Sequence, residues 1–298
     1  MRANFQRYLD DKVSEIFLEV LKVPMLEEYK AFTTPKTSTK NEEKYDSIGN
    51  LSPAEEKAEG SPLHYEQVTQ MYQTTVVNKT YDRGYYETYE ATEDDVERVI
   101  NKIKDSGIMQ AMIAKREMAA ADVVDAVFTS TAADGVFYAS ATHPLDTSKT
   151  AAVNDNLMAP GAMTPESIQL GTNKFNVIKN YAGVPFRTRP TAILAHVNNG
   201  AVIKSLLESN LKAMELSNTK NTLPSLKPIL STYINANYWH LIDESIPSFI
   251  FQRRSALRKT SSWDETDTLN YYWAAFERYR VAQINPGFGH VSNAYAGA

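Results

Sequence analysis

Five histidines, at positions 64, 143, 196, 240 and 290, are the side chains in this sequence best suited to proton or metal chemistry near neutral pH. Their spacing argues against a metal site. No two stand at i, i+4 or short-loop separation, and with no cysteine in the chain nothing completes a zinc-type ligand set. A phosphate loop, a glycine-rich dinucleotide fingerprint and a Gly-x-Ser-x-Gly elbow are all absent. Asp134 and His143 could pair as acid and base, but a histidine followed by Pro144 in a turn is more often a structural hydrogen-bonder. The sequence thus offers no catalytic, cofactor-binding or metal-binding residue. Arg253, Arg254, Arg258 and Lys259 form a short basic cluster, which suits a solvated face or an acidic segment of a neighbouring molecule better than nucleic acid.

The segment from Thr92 to Phe128 must position much of the rest. Thr92 reads as an N-cap, followed by Glu93, Asp94 and Asp95 at the positive end of the helix dipole. Val96, Val99, Ile100 and Ile103, then Met109, Met112, Ile113, Ala120, Val123, Val124 and Val127, recur at helical spacing. A continuous helix here is ~54 Å long, with Gly107 as a kink or join. A heptad from Val96 puts Ser106, Gln110 and Glu117 on the seam, too polar for a coiled coil.

Before it, Phe5, Leu9, Val13, Ile16, Phe17, Val20 and Leu21 predict an amphipathic helix stopped by Pro24. Residues 33–60 are polar, with Pro35, Gly49, Pro53 and Gly60. Residues 71–89, rich in tyrosine and valine, read as one or two long strands. Together, 33–90 form a hairpin-like excursion too polar to hold a core, so it is expected to become ordered only on a neighbour.

After the long helix, Asp134-Gly135 and His143-Pro144 read as turns flanking a short aromatic strand at Phe137-Tyr138. Thr164-Pro165-Glu166 starts a helix to about Lys179. Thr191 to Val197 reads as a buried strand, with Asn198 or Asn199 capping the helix that follows. Pro224 and Pro228 mark a loop and edge strand, and Ser248 to Phe251 a strand. Leu269 to Ile284 fits strand or helix by periodicity alone, ending at Gly287 and Gly289.

The chain of 298 residues, 43% hydrophobic and 22% charged, is long enough for one large domain or two ordinary ones. A net charge of −5 excludes a protein built mainly to grip phosphates. No run of residues reaches the ~18–20 apolar positions of a membrane helix, and Asp10, Asp11, Glu15 and Glu19 interrupt any signal-peptide core.

The order and spacing of Tyr65-Glu66 and the aromatic strand after it, Glu90 and Glu93-Asp94-Asp95, Asp134-Gly135 with His143-Pro144, Asn156-Leu157, the Thr164-Pro165-Glu166 helix, and Pro190 to Val197 resemble the major capsid proteins of tailed bacteriophages with the Hong Kong 97-type fold, in particular the Mu-type major head subunits. The resemblance covers nearly the whole chain. It implies an α+β fold: an N-arm at 1–32, an extended β-hairpin loop at 33–90 lying over the adjacent subunit, and a peripheral domain at 91–159 with its spine helix at 92–128. An α/β axial domain at 160–245 and return strands at 246–298 completing the peripheral sheet follow. It also favours β for Leu269 to Ile284. The implied function is a non-enzymatic head protein that self-assembles as hexamers and pentamers into the icosahedral shell around a double-stranded DNA genome. Assembly would take place in the host bacterial cytoplasm and the protein would reside in the virion. Its implied partners are copies of itself, a separate scaffold protein, a portal and an optional cementing protein, with only weak non-specific DNA contact and no membrane. The span from Met1 to Thr92 leaves no room for a built-in scaffolding segment, and Lys36, Lys40, Lys44, Lys57 and Lys79 are expected to keep the loop soluble without cross-linking subunits. The alternatives are a nanocompartment shell protein of the same fold and, from another class, an α/β enzyme using Asp134 and His143.

Overall fold

The computed structural model describes residues 26–94, 106–146, 153–186, 188–209, 220–264, 269–285 and 287–294. The amphipathic helix expected within 1–23 and the residues 95–105 of the long helix lie outside them.

Two four-stranded sheets organise the described residues. The first has the order β1 (Thr34–Thr37), β10 (Phe249–Asp264), β11 (Asn270–Gln283), β4 (Lys79–Thr88). β10 and β11 are antiparallel with irregular register between Arg253 and Arg258, and β11 pairs with β4 from Tyr279↔Lys79 to Asn270↔Thr88. Along β11, odd-numbered positions such as Ala275, Glu277, Tyr279 and Val281 are buried while Tyr272 and Phe276 are exposed. This period of two resolves the strand-or-helix ambiguity in favour of strand. Rings stack across the inner face from Tyr81 to Tyr279 (4.5 Å), to Phe251 (4.9 Å) and to Tyr29 (4.9 Å). Each stacked pair adds roughly 0.5–1.5 kcal/mol beyond its burial.

Helix α2 (Ile108–Asp125) lies against that face through Ile108, Met112, Ala120, Ala121 and Val124, with a 3-10 turn at Ala126–Phe128 ending it where expected. Its start differs from the sequence reading. A short helix α1 (Tyr89–Glu93) continues from β4 with Thr88 as the cap, accepting from the Ala91 N–H at 3.4 Å, and the Thr92 hydroxyl donates back to Thr88 O at 3.0 Å. Thr92 therefore lies inside the turn of α1, which Thr88 caps, and the residues 95–105 that Thr92 is expected to lead lie outside the described ones. Residues 106–107 form a wide π-type turn leading into α2, consistent with a join at Gly107.

The second sheet has the order β12 (His290–Ala294), β9 (Tyr238–Ile242), β7 (Ala192–His196), β8 (Lys227–Ser231). β7 and β8 are parallel and joined through helix α4 (Gly200–Glu208), the expected α/β layer, and Pro228 sits on the edge strand as its missing N–H requires. Helix α3 (Pro165–Val177) begins at Thr164 with a reciprocal cap to Ser167 and Pro165 at the first position. Asn199 occupies the cap position of α4, but its amide bonds to Ala236 O, so neither Asn198 nor Asn199 caps by side chain. Ile168, Phe175, Ile193, Ile203, Leu206, Trp239 and Leu241 form this core.

Three segment boundaries change. β12 joins the second sheet, so 246–298 does not return wholly to the first. β1 and β4, both within 33–90, are members of the first sheet, which leaves only the ribbon β2 (Glu42–Ile48) and β3 (Gln70–Val77) with its tip at 49–69 as the excursion. Tyr29, in the expected arm, is buried in the main core. His143-Pro144 is not a turn but a two-residue strand, β5, paired with β6 (Val153–Asn154), and Phe137 makes only an isolated bridge to Thr131.

Candidate functional site

Asp134 and His143 do meet. The carboxylate Oδ2 lies 2.6 Å from Nδ1 of His143, and both side chains are 2% exposed. The other ring nitrogen, Nε2, faces Asn156 Oδ1 at 3.1 Å and Tyr138 O at 3.2 Å. Both ring nitrogens thus face oxygen atoms of neighbouring groups. Asn156, fully buried, is oriented unambiguously: Oδ1 accepts from the Ser140 N–H and Nδ2 donates to Tyr138 O, both at 2.8 Å. Its Nδ2 also faces His290 Nε2 at 3.2 Å, and Gln283 Nε2 approaches the same nitrogen at 3.0 Å. His240 follows, with Nδ1 2.8 Å from Ser292 Oγ.

Three of the five histidines are therefore gathered from β5, β9 and β12 into one sealed cluster. Burial, then the charge of His143, pushes His290 down to about 4, and burial with His290 pushes His240 down to about 3. Gly287 (φ +76°) lets the backbone pass so close that a Cβ there would sit 2.9 Å from the His143 side chain. A buried pair with filled hydrogen bonds can fasten residues 134–143 to the sheets. His64 is exposed beside Glu55 (3.5 Å), and His196 accepts from the Asn198 N–H at 3.1 Å.

A second buried network pins the chain entering β1 to α2. Arg116 binds Glu277 through Nε (2.8 Å) and Nη2 (2.6 Å), and Glu27 through Nη1 (3.0 Å). Burial works against the Arg116 charge, but the hydrogen bonds and charge of Glu277 hold its pKa above the ordinary value. Glu117 accepts the Tyr29 N–H at 3.0 and 3.2 Å, and burial pushes its carboxyl up to about 7.

The basic cluster is not one patch. All four residues lie on β10, where Arg258 pairs with outward-facing Phe276 and Lys259 with inward-facing Ala275, so the pleat sends them to opposite faces. Arg253 lies over the Phe251 ring, 5.3 Å from its centroid.

What stands open is the excursion. Its tip exposes Leu51, Leu63 and Val68, and Tyr65 is 88% exposed, among Glu55, Glu56, Glu59 and Glu66. Tyr86, Tyr272 and Phe276 form a further exposed aromatic group on the outer face of the first sheet, with Tyr86 and Tyr272 stacked at 5.9 Å.

No family model and no curated protein sequence matches the chain. Solved structures do. The mature capsid of bacteriophage PhiM1 matches at TM-score 0.61 and 10% identity, over 93% of this chain and 89% of that one. Mycobacterium phage Adephagia matches at TM-score 0.59 and 8% identity, over 92% and 90%. The capsid of an empty GTA particle matches at TM-score 0.58 and 9% identity, over 92% of both chains. The chain has the Hong Kong 97-type capsid fold. At such identities the agreement is one of architecture.

The histidine cluster escaped sequence reasoning because its members are far apart in the chain and no local pattern links them. The one available signal was Gly287 and Gly289 beside His290, glycines marking a close backbone approach.

Proposed function

We propose that this protein is the major head subunit of a tailed phage, assembling as hexamers and pentamers into the shell that encloses the double-stranded DNA. The observation that carries the reading is the excursion: a twenty-odd-residue tip with Leu51, Leu63, Tyr65 and Val68 exposed and no core of its own, on a fold shared with capsid chains. Such a segment needs a surface on another copy, and shells of this kind bury more than the ~2,000 Å² where obligate interfaces begin.

In this reading 1–32 is the arm, 91–159 with most of 246–298 the peripheral domain, and 160–245, joined by β12, the axial domain. The Mu-type placement rests on the order of sequence motifs. A nanocompartment shell is the weaker alternative, since the matched capsids named above are those of phages and a GTA particle. An enzyme using Asp134 and His143 is disfavoured by their burial, so the protein is read as non-enzymatic. Curvature requires an agent, because one sequence must make both hexamers and pentamers at slightly different angles. A separate scaffold protein fits that role, with a portal and an optional cementing protein as further partners. The net charge of −5 and the division of Arg258 and Lys259 between two faces support only weak, non-specific DNA contact. No helix among the described residues is long and apolar enough to cross a membrane. The proposed location is the virion, after assembly in the host cytoplasm.

Sedimentation velocity of the purified protein, alone and with assembly partners, tests the reading. Assemblies of very high mass are expected; a monomer at every concentration and with every partner refutes it.

A further inference from the structure

The base of the hairpin is built differently from its tip. Gln252, near the start of β10 and fully buried, sends its side chain out of the sheet into the hairpin. Its Oε1 accepts from Tyr45 OH at 2.8 Å, and its Nε2 donates to Asn78 Oδ1 at 2.9 Å and Val76 O at 3.3 Å. Asn78, also buried, sits where β3 turns into β4. Its Nδ2 donates to Ser38 Oγ at 2.8 Å and Lys40 O at 3.0 Å, joining it to the turn that leads from β1 into β2. On the other side of that turn Glu43 Oε1 accepts from Ser38 Oγ (2.9 Å), Thr39 N (3.1 Å) and Lys40 N (3.2 Å). Beneath these bonds Val76, Ile250 and Ile284 close a small apolar cluster against Tyr45 and Ala282.

Gln252 thereby ties β10 to Tyr45 of β2 and to the end of β3, and Asn78 and Glu43 hold the turn from β1 into β2. A buried amide is a costly choice within a strand, since every bond it fails to make is penalised by about 1–3 kcal/mol. Here both of its polar atoms are spent on the ribbon. An apolar residue would pack there without setting a direction; hydrogen bonds to atoms of β2, β3 and the β3–β4 junction do set one, because they weaken steeply with angle.

We propose that Gln252, Asn78 and Glu43 are positioning residues that preset the direction of the excursion in the free subunit, so that the tip meets a neighbouring copy at one fixed angle. The inference rests on the shell reading and adds to it where the contact angle is stored. Ordering is then divided along the hairpin. The ribbon is rigid before assembly, and only the tip becomes ordered on contact.

The test compares wild type with Gln252→Met, which keeps volume but loses the bonds, and Tyr45→Phe, which removes only one. Hydrogen–deuterium exchange on free subunits should show amides of 42–48 and 70–77 protected in wild type and exchanging more than tenfold faster in Gln252→Met, with β10–β11 unchanged and Tyr45→Phe intermediate. In assembly reactions that give wild type one particle size, Gln252→Met should give a broadened range of sizes from subunits that are still folded by circular dichroism. Fast exchange of the wild-type ribbon in the free subunit overturns the proposal, and so does a loosened variant ribbon that still builds wild-type particles. Failure of wild type itself to assemble strikes the shell reading instead, and the exchange data then judge the ribbon by themselves.

Discussion

The substitution Arg116→Met asks how far the fold depends on the buried network between α2 and the first sheet. The guanidinium side chain is 8% exposed and that of Glu277 is 1% exposed, with three N···O contacts between them of 2.6 to 3.1 Å. Methionine fills most of the space, so the cavity contribution is small. What remains is a carboxylate sealed from water without its cation, and breaking such a pair costs about 3–5 kcal/mol. Against a total stability of roughly 5–15 kcal/mol, that is a large share. Adding Glu277→Leu should recover most of the loss, because replacing both members of a buried pair by apolar groups is often neutral. Urea unfolding of dissociated subunits, followed by fluorescence of the three tryptophans, Trp239, Trp263 and Trp273, measures all three proteins. A single variant within 1 kcal/mol of wild type, or a double variant no better than the single, would refute the reasoning.

Glu117, raised to about 7 from an ordinary carboxyl value, binds its proton more tightly folded than unfolded; its contribution to stability is full below pH 4.5 and is lost as pH rises through 7. Glu117→Gln should remove that slope, seen as a flatter stability–pH curve by differential scanning fluorimetry. At Gly171 in α3 a Cβ would lie 2.6 Å from Leu241 Cδ1 and 2.8 Å from Met158 Sδ, so Gly171→Val should lower stability by about 1–3 kcal/mol in urea titrations. Limited proteolysis should cut 49–69 quickly in free subunits and slowly in assembled particles, while denaturing gels of those particles should show single-chain bands without high-mass ladders.

Legibility in the sequence followed locality. The Thr164-Pro165 start of α3, the apolar run of β7 and the tyrosine- and valine-rich β3 and β4 are local patterns that appear where expected, whereas the spacing of β11 fits strand or helix and only the resemblance favours strand. The Thr88 cap of α1 follows from where β4 ends, a tertiary fact that no local capping pattern contains. The 16-residue span of β10 was hidden because its far half is polar on an exposed stretch. β9 and β12 are short, and their membership in the second sheet comes from pairing, β9 with β7 and β12 with β9, rather than from composition. The Asp134–His143 pairing could be guessed from proximity, but its burial could not, and burial is what turns a candidate acid–base couple into a fastening.

The central claim is that this chain builds a closed shell with its hairpin lying on a neighbour. Electron cryo-microscopy of particles assembled from the purified protein, with a scaffold partner supplied, tests it most directly. The account predicts hexamers and pentamers of this one fold, with density for residues 49–69 of each copy resting on the adjacent copy. Particles lacking such rings, or rings in which that tip projects into solvent touching nothing, would contradict it.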